Sequence, residues 1–194
     1  NLAVLGALCL LLCAAGLAHA AGVPLDRVVA SLERSEARWG RLEKIATPLP
    51  GSIFVDYAHT DDALEKALGT LREITPGRLI VVFGCGGDRY RGKRPAMGAV
   101  AARGADVLIL TSDNPRTEDP ASIIEDIVTG LPARCRFLRE PNRRAAIRAG
   151  LAELKANDTL LIAGKGHETY QEYAHRVVPF DDREEVRTLA RELV

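Results

Sequence analysis

The sequence predicts an α/β fold, a parallel sheet covered by helices on both faces, and three observations carry that expectation. Short apolar runs at 53–57, 79–83, 107–111 and 159–163 have the unbroken hydrophobicity of strands buried on both sides. Helical patterns at 62–73, 95–104, 120–130 and 142–155 separate or flank them, and strands alternating with helices imply parallel pairing. The 194 residues are 47% hydrophobic and 27% charged, which suits a globular chain and excludes disorder, collagen and a polytopic membrane protein.

Taken in order, the elements begin with an opening stretch, 1–25, that carries no formally charged residue. Three readings fit it. Leu2 to Leu12 followed by Ala18-His19-Ala20 imitates a signal peptide with an A-x-A cleavage site, although no positive n-region precedes it. Its length is near that of a membrane span, and a helix buried in a larger domain accounts for it as well. After Pro24, the spacing of Leu25, Val28, Val29 and Leu32 predicts a short amphipathic helix that runs out near Arg34. Residues 35–51 read as loop, and Thr47-Pro48-Leu49-Pro50-Gly51 marks a candidate domain boundary. Beyond the four main strands, 134–138 and 177–180 are weaker strand candidates, and 184–193 reads as a last helix.

Charge and cysteine usage narrow the function. Twenty-six Lys and Arg balance twenty-six Asp and Glu, so there is no basic field with which to collect counterions from nucleic acid. The four cysteines, at 9, 13, 85 and 135, form no C-x-x-C pair and suit a reducing, cytoplasmic compartment. The chain opens on Asn1 and its one methionine is Met97, which leads to the expectation of a piece of something longer.

Ligands of open α/β sheets sit outside the carboxyl ends of the strands, so the loop leaving each strand matters most. There stand Asp56-Tyr57-Ala58-His59-Thr60, Gly84-Cys85-Gly86-Gly87-Asp88-Arg89, Ser112-Asp113-Asn114-Pro115-Arg116 and Gly164-Lys165-Gly166-His167-Glu168. The glycine loops read equally as tight turns or as anion cradles. The first lacks the third glycine of a dinucleotide fingerprint, and no G-x-x-x-x-G-K-[ST] occurs, so neither NAD binding nor independent ATP hydrolysis is supported. His59, Cys85 and His167 lie on separate loops without zinc-ligand spacing, and no metal site is expected. Asp113-Asn114-Pro115-Arg116 is more informative. Pro115 stiffens the loop, a guanidinium grips a carboxylate through two parallel hydrogen bonds, and Asp113 and Glu168 can receive ammonium groups. Arg89, Asp113, Asn114, Arg116 and Glu168 thus either complement a small zwitterion or form a salt-bridged turn.

These four loops, with Gly40-Arg41-Leu42-Glu43, Gly92-Lys93-Arg94-Pro95 and the continuation Thr169-Tyr170-Gln171, resemble in order and spacing the C-terminal part of the Mur ligases. The resemblance implies a Rossmann-like, mostly parallel sheet flanked by helices for 47–194. It implies that 1–46 are helices from the end of a truncated central ATP-binding domain, which favours the buried-helix reading of the opening. Residue by residue, Arg89, Asp113, Asn114, Arg116, Gly164 and Glu168 fall on the family's amino-acid pocket, and Asn1, Arg41, Asp56 and His59 fall near its nucleotide. The arginine closing Asp-Asn-Pro-Arg marks members that take meso-diaminopimelate instead of lysine, and Arg116 is the bidentate partner for the second carboxylate that lysine lacks. Implied with it are ATP and Mg²⁺, a UDP-N-acetylmuramoyl dipeptide as co-substrate, a cytoplasmic setting, no nucleic-acid or membrane partner, and the missing N-terminal and central domains. A related ligase using lysine, or a non-catalytic amino-acid-binding module, is the alternative. Asp61 and Tyr90 stand where the family usually has proline and aspartate, and neither is expected to touch the pocket contacts. Without a phosphate loop or a metal-holding lysine, the chain alone is not expected to complete the reaction.

Overall fold

The computed structural model describes residues 2–33 and 40–194, with the side chains of 11–32 and 40–194. They fall in two compact units, Asn1–Ala37 and Arg38–Val194. The first unit holds α1 (Leu2–Ala20) and α2 (Leu25–Glu33). Gly22, at φ 86, ends α1 as glycine commonly does: its N–H donates to the His19 carbonyl at 2.9 Å while that of Val23 donates to Ala18 at 3.0 Å. In α2 Val28 is buried, whereas Leu25, Val29 and Leu32 are exposed. Among the described residues no helix is long and apolar enough to cross a membrane.

The second unit is a six-stranded sheet in the order β1-β2-β6-β3-β4-β5, drawn from β1 (Glu43–Lys44), β2 (Ser52–Asp56), β3 (Leu79–Phe83), β4 (Val107–Leu110), β5 (Phe137–Arg139) and β6 (Thr159–Ala163). Only β1 pairs antiparallel; from β2 to β5 every pairing is parallel. Alternation along each strand divides the core in two. Leu79, Val81 and Phe83 face the cluster formed with α3 (Asp61–Ile74), α4 (Lys93–Gly104) and α5 (Pro120–Val128). Ile80 and Val82 face the other, formed with α6 (Arg143–Glu153) and α7 (Asp182–Glu192). Burial on both faces explains why β3 and β6 read from the sequence as solid apolar runs. Side-chain oxygens of Thr60, Asp119, Asn142 and Asp181 cap α3, α5, α6 and α7, satisfying N–H groups that the first helical turn leaves free.

Residues 47–51 lie within the second compact unit, where Ile45 donates to the Ile53 carbonyl at 2.9 Å and β1 is zipped to β2. The structure departs from the sequence expectation in three places. The strand expected at 134–138 begins at Phe137, since a turn closed by Cys135 N–H on Pro132 O precedes it. Tyr57 lies beyond β2, where the Asp56 carboxylate turns the chain by accepting from Ala58 N–H at 2.8 Å. An antiparallel hairpin of β7 (Tyr170–Tyr173) and β8 (Arg176–Pro179) comes after β6, and the sequence pattern does not predict its first strand. Its polar residues show no apolar alternation; only Gln171 is buried.

Candidate functional site

The carboxyl ends of β2, β3, β4 and β6 lie along one edge of the sheet, so the four polar loops converge there. They enclose a cleft of about 450 Å³ lined by Arg89, Asp113, Asn114, Arg116, Gly164 and Glu168, all six expected pocket residues. His59 lines it too, and so do Tyr57, Lys93 and Tyr170. Tyr90 also stands in the cleft wall, 80% exposed.

Close loop-to-loop packing sets the cleft's shape. Gly87 donates to the Asn114 carbonyl at 2.9 Å, and a Cβ on Gly87 would stand 1.9 Å from the Pro115 carbonyl oxygen, so the glycine loop and the Asp-Asn-Pro-Arg loop touch backbone to backbone. Gly164, at φ 116, lets β6 turn away beside Asp113; a Cβ there would meet Oδ2 at 2.6 Å. Arg116 itself has φ 51, and its N–H donates to the Glu172 carbonyl at 3.0 Å, docking the loop on β7. Its guanidinium is partnered already: Nε lies 2.9 Å from Glu172 Oε2, and Nη1 donates to the Gly87 carbonyl at 2.8 Å. Nη1 also reaches the Asn114 carbonyl at 3.5 Å, so these anchors fix the plane of the guanidinium where it lines the cleft.

Beneath the cleft lie charged groups that polarity alone assigns to the surface. Lys165, wholly buried, donates to Asn114 Oδ1 and Glu168 Oε2, both at 3.0 Å, and the Asn114 amide donates to the same Glu168 oxygen at 2.9 Å. Burial pulls the Glu168 carboxyl toward its neutral form, but the Lys165 ammonium and the Asn114 amide outweigh it and hold its pKa below the usual range. Arg143 and Asp182 form a bidentate pair at 2.7 Å with both side chains fully buried. Arg143 also donates to the Ser112 and Ala163 carbonyls at 3.2 and 3.1 Å, the residues immediately before Asp113 and Gly164. Arg94 bridges Glu118, Asp126 and the Gly86 carbonyl. Sequence reasoning overlooks these roles because each depends on a partner distant along the chain; for Lys165, the flanking glycines are the available signal.

The expected nucleotide-side residues are placed differently. Asp56 is buried and spends its two oxygens on the Leu42 and Ala58 N–H groups, at 2.7 and 2.8 Å, which makes it a brace for the loops around it. Arg41 stacks over the Tyr57 ring at 4.8 Å, and His59 meets that ring edge-on at 4.6 Å. Asn1 lies outside the described residues. Among the described residues no group of three or more His, Cys, Asp or Glu side chains could hold a metal ion.

A pH prediction arises from the loop brace. The hydrogen bond from Arg94 holds the Glu118 carboxyl down at about 2. A carboxylate depressed in the folded state stabilises it fully above its ordinary pKa, and that contribution fades as pH falls from about 5 toward 2. In urea titrations Glu118→Gln is therefore expected to be less stable than the parent sequence at pH 6, with the gap narrowing steadily toward pH 2.5. A gap independent of pH would show that the carboxylate's charge is not what counts.

The fold and cleft define an α/β domain of the kind that takes small polar ligands outside the carboxyl ends of its parallel strands. The chain belongs to the Mur ligase family: the model of the Mur ligase, glutamate ligase domain matches residues 40–166. The UDP-N-acetylmuramoyl-L-alanyl-D-glutamate–2,6-diaminopimelate ligase of Chelativorans sp. (strain BNC1) is 52% identical over 182 residues, covering 93% of this chain and 37% of the relative. Its namesake in Coxiella burnetii (strain RSA 493 / Nine Mile phase I) is 49% identical over 186 residues, covering 96% and 36%. A solved structure of a ligase with the same name superposes with a TM-score of 0.76 at 42% identity, over 93% of this chain and 37% of that one. The chain thus spans little more than a third of the length of these relatives.

Proposed function

We propose that this chain serves as the C-terminal portion of an ATP-dependent amide ligase that adds meso-diaminopimelate to UDP-N-acetylmuramoyl-L-alanyl-D-glutamate in peptidoglycan synthesis. The supporting observation is the convergence of Arg89, Asp113, Asn114, Arg116, Gly164 and Glu168 on one cleft. Two carboxylates suited to an ammonium face guanidinium groups suited to carboxylates, the complement of an amino acid with charges at both ends. In the proposed reaction ATP converts the D-glutamate carboxylate to an acyl phosphate with release of ADP. The deprotonated amine of diaminopimelate then attacks the acyl carbon, the C–O bond to phosphate breaks, and amide, inorganic phosphate and a proton result. This domain's part is to orient the amine, an entropic contribution, and not to make or break bonds. Residues 1–46 are read as the end of the ATP-binding domain, and Arg41, His59 and Asn1 as the nucleotide-side contacts, with Asp56 bracing the loops. Mg²⁺ is expected to accompany ATP, and the described residues do not form a site that fits it. Dependence on ATP and a nucleotide-linked precursor puts the work in the cytoplasm.

The test is phosphate release by the parent ligase. Release that requires both the UDP-linked dipeptide and meso-diaminopimelate supports the reading, equal release with lysine favours the lysine-using alternative, and release indifferent to any amino acid overturns it. The isolated chain is expected to release no phosphate, since no G-x-x-x-x-G-K-[ST] occurs in it.

A further inference from the structure

We propose that Lys165 is a positioning residue for amine recognition: its buried ammonium clamps Glu168 through one carboxylate oxygen, Oε2, and so turns the other, Oε1, toward the cleft. The inference rests on the functional reading above. It starts from the loop that leaves β6. Gly164 and Gly166 have φ of 116 and 52, conformations that L side chains rarely adopt, and between these two left-handed turns the chain directs the Lys165 side chain inward. Burying an ammonium is costly unless it is paired and hydrogen-bonded. Here Nζ has Glu168 Oε2 and Asn114 Oδ1, each at 3.0 Å, and the Tyr170 ring with its centroid 5.4 Å away.

The clamp has a second jaw. Asn114 accepts from Lys165 and from the Glu172 N–H at 3.0 Å through Oδ1, which fixes its amide so that Nδ2 donates to Glu168 Oε2 at 2.9 Å. Both donors fall on the same oxygen. The carboxylate therefore cannot rotate without breaking two charge-assisted bonds, and Oε1 is held toward the cleft that Glu168 lines. Lys165 has a further electrical effect. Glu168 interacts with Tyr57 beyond β2, its neighbour His167, and Arg143 from α6, and it shares the cleft with Asp113 beyond β4. Of these, Asp113 disfavours a second negative charge in the cleft, and Lys165 is the cation in direct contact that keeps Glu168 ionised. A protonated Glu168 would offer an ammonium no charge.

The experiment is a double-mutant cycle of Lys165→Met and Glu168→Gln in the complete ligase, read as kcat/KM for meso-diaminopimelate across pH. Removing one partner of a buried charge pair is expected to raise KM for diaminopimelate about 30-fold or more at pH 7. KM for ATP is expected to stay within about twofold. The acid limb of the diaminopimelate profile should move up by about one pH unit, the direction expected when an adjacent cation is lost. In the Glu168→Gln background the same Lys165→Met change should add less than about twofold. Lys165→Arg, which keeps the charge, should leave the acid limb near its original position even where packing lowers the rate. Losses that multiply in the cycle, or an acid limb that Lys165→Met does not move, overturn the proposal. If Lys165→Met does not fold, the Lys165→Arg profile decides: an acid limb raised as far as one unit rejects the electrostatic role. Absence of saturable diaminopimelate use by the unmodified enzyme would overturn the functional reading instead. The cycle is then read with lysine, whose ammonium makes the same demand on Glu168.

Discussion

Arg116→Ala is expected to lower kcat/KM for diaminopimelate by about 30-fold to several thousand-fold in the complete ligase. Truncating one member of a buried, hydrogen-bonded charge pair costs about 2–5 kcal/mol, and each 1.4 kcal/mol is about tenfold. The structure adds a reason for the upper part of that range. With Nε held by Glu172 and Nη1 by the Gly87 carbonyl, the fork is oriented before any ligand arrives, so little rotamer entropy remains to be lost. Lysine has no distal carboxylate, and its use should fall much less. Arg116→Lys should recover little, because an ammonium can reproduce neither the planar fork nor both anchors. Steady-state kinetics with both amino acids give the answer; equal losses for the two would reduce Arg116 to a loop anchor without a part in selection.

Asp182→Ala is expected to destabilise the second unit by about 3–5 kcal/mol, because it leaves the fully buried Arg143 guanidinium without its carboxylate. For a chain of this size that is a fall in Tm of roughly 6–20 °C. Replacing both members by apolar residues, Arg143→Met with Asp182→Leu, should restore much of the stability, since well-packed hydrophobic groups often replace a buried ion pair at little cost. Activity should not return with it. The double variant still lacks the hydrogen bonds to the Ser112 and Ala163 carbonyls that hold the loops before Asp113 and Gly164. Thermal melts and turnover of the single and double variants separate the two effects, and a single variant melting within a degree or two of the parent would contradict the first.

The contrast between those two residues and β3 shows what a sequence can and cannot convey. Leu79–Phe83 is legible to the residue because a strand buried on both faces has no polar position to blur it. The convergence of four loops at one edge is legible from the alternation of strands and helices, since parallel order places every carboxyl end on the same side. β7 is not, because it has no apolar alternation and is held by backbone pairing with β8 and by the Arg116 N–H on the Glu172 carbonyl. The candidate cleft residues can be named, but their state cannot. Arg116 reads as a free guanidinium until the hairpin supplies Glu172, and Asp56 reads as a ligand contact until the N–H groups of Leu42 and Ala58 claim its oxygens. Arg94 and Arg143 look like surface cations in a one-dimensional view, since only the folded chain gives them the carboxylates that make burial tolerable, and Lys165 does so because Asn114, its second partner, is remote in sequence.

The left-handed backbone of Arg116 bears on how this loop can evolve. At φ 51 a side chain with a Cβ costs about 1 kcal/mol or more, a strain that glycine escapes and asparagine largely tolerates. Mutation to either residue would relieve that strain but would also remove the guanidinium's bonds to Glu172 and the Gly87 carbonyl, which are worth about as much or more. The side chain thus offsets its own backbone strain through the loop it docks. A variant that breaks the first of those anchors while keeping arginine, such as Glu172→Gln, should leave the strain largely uncompensated and make glycine or asparagine at 116 the more stable choice.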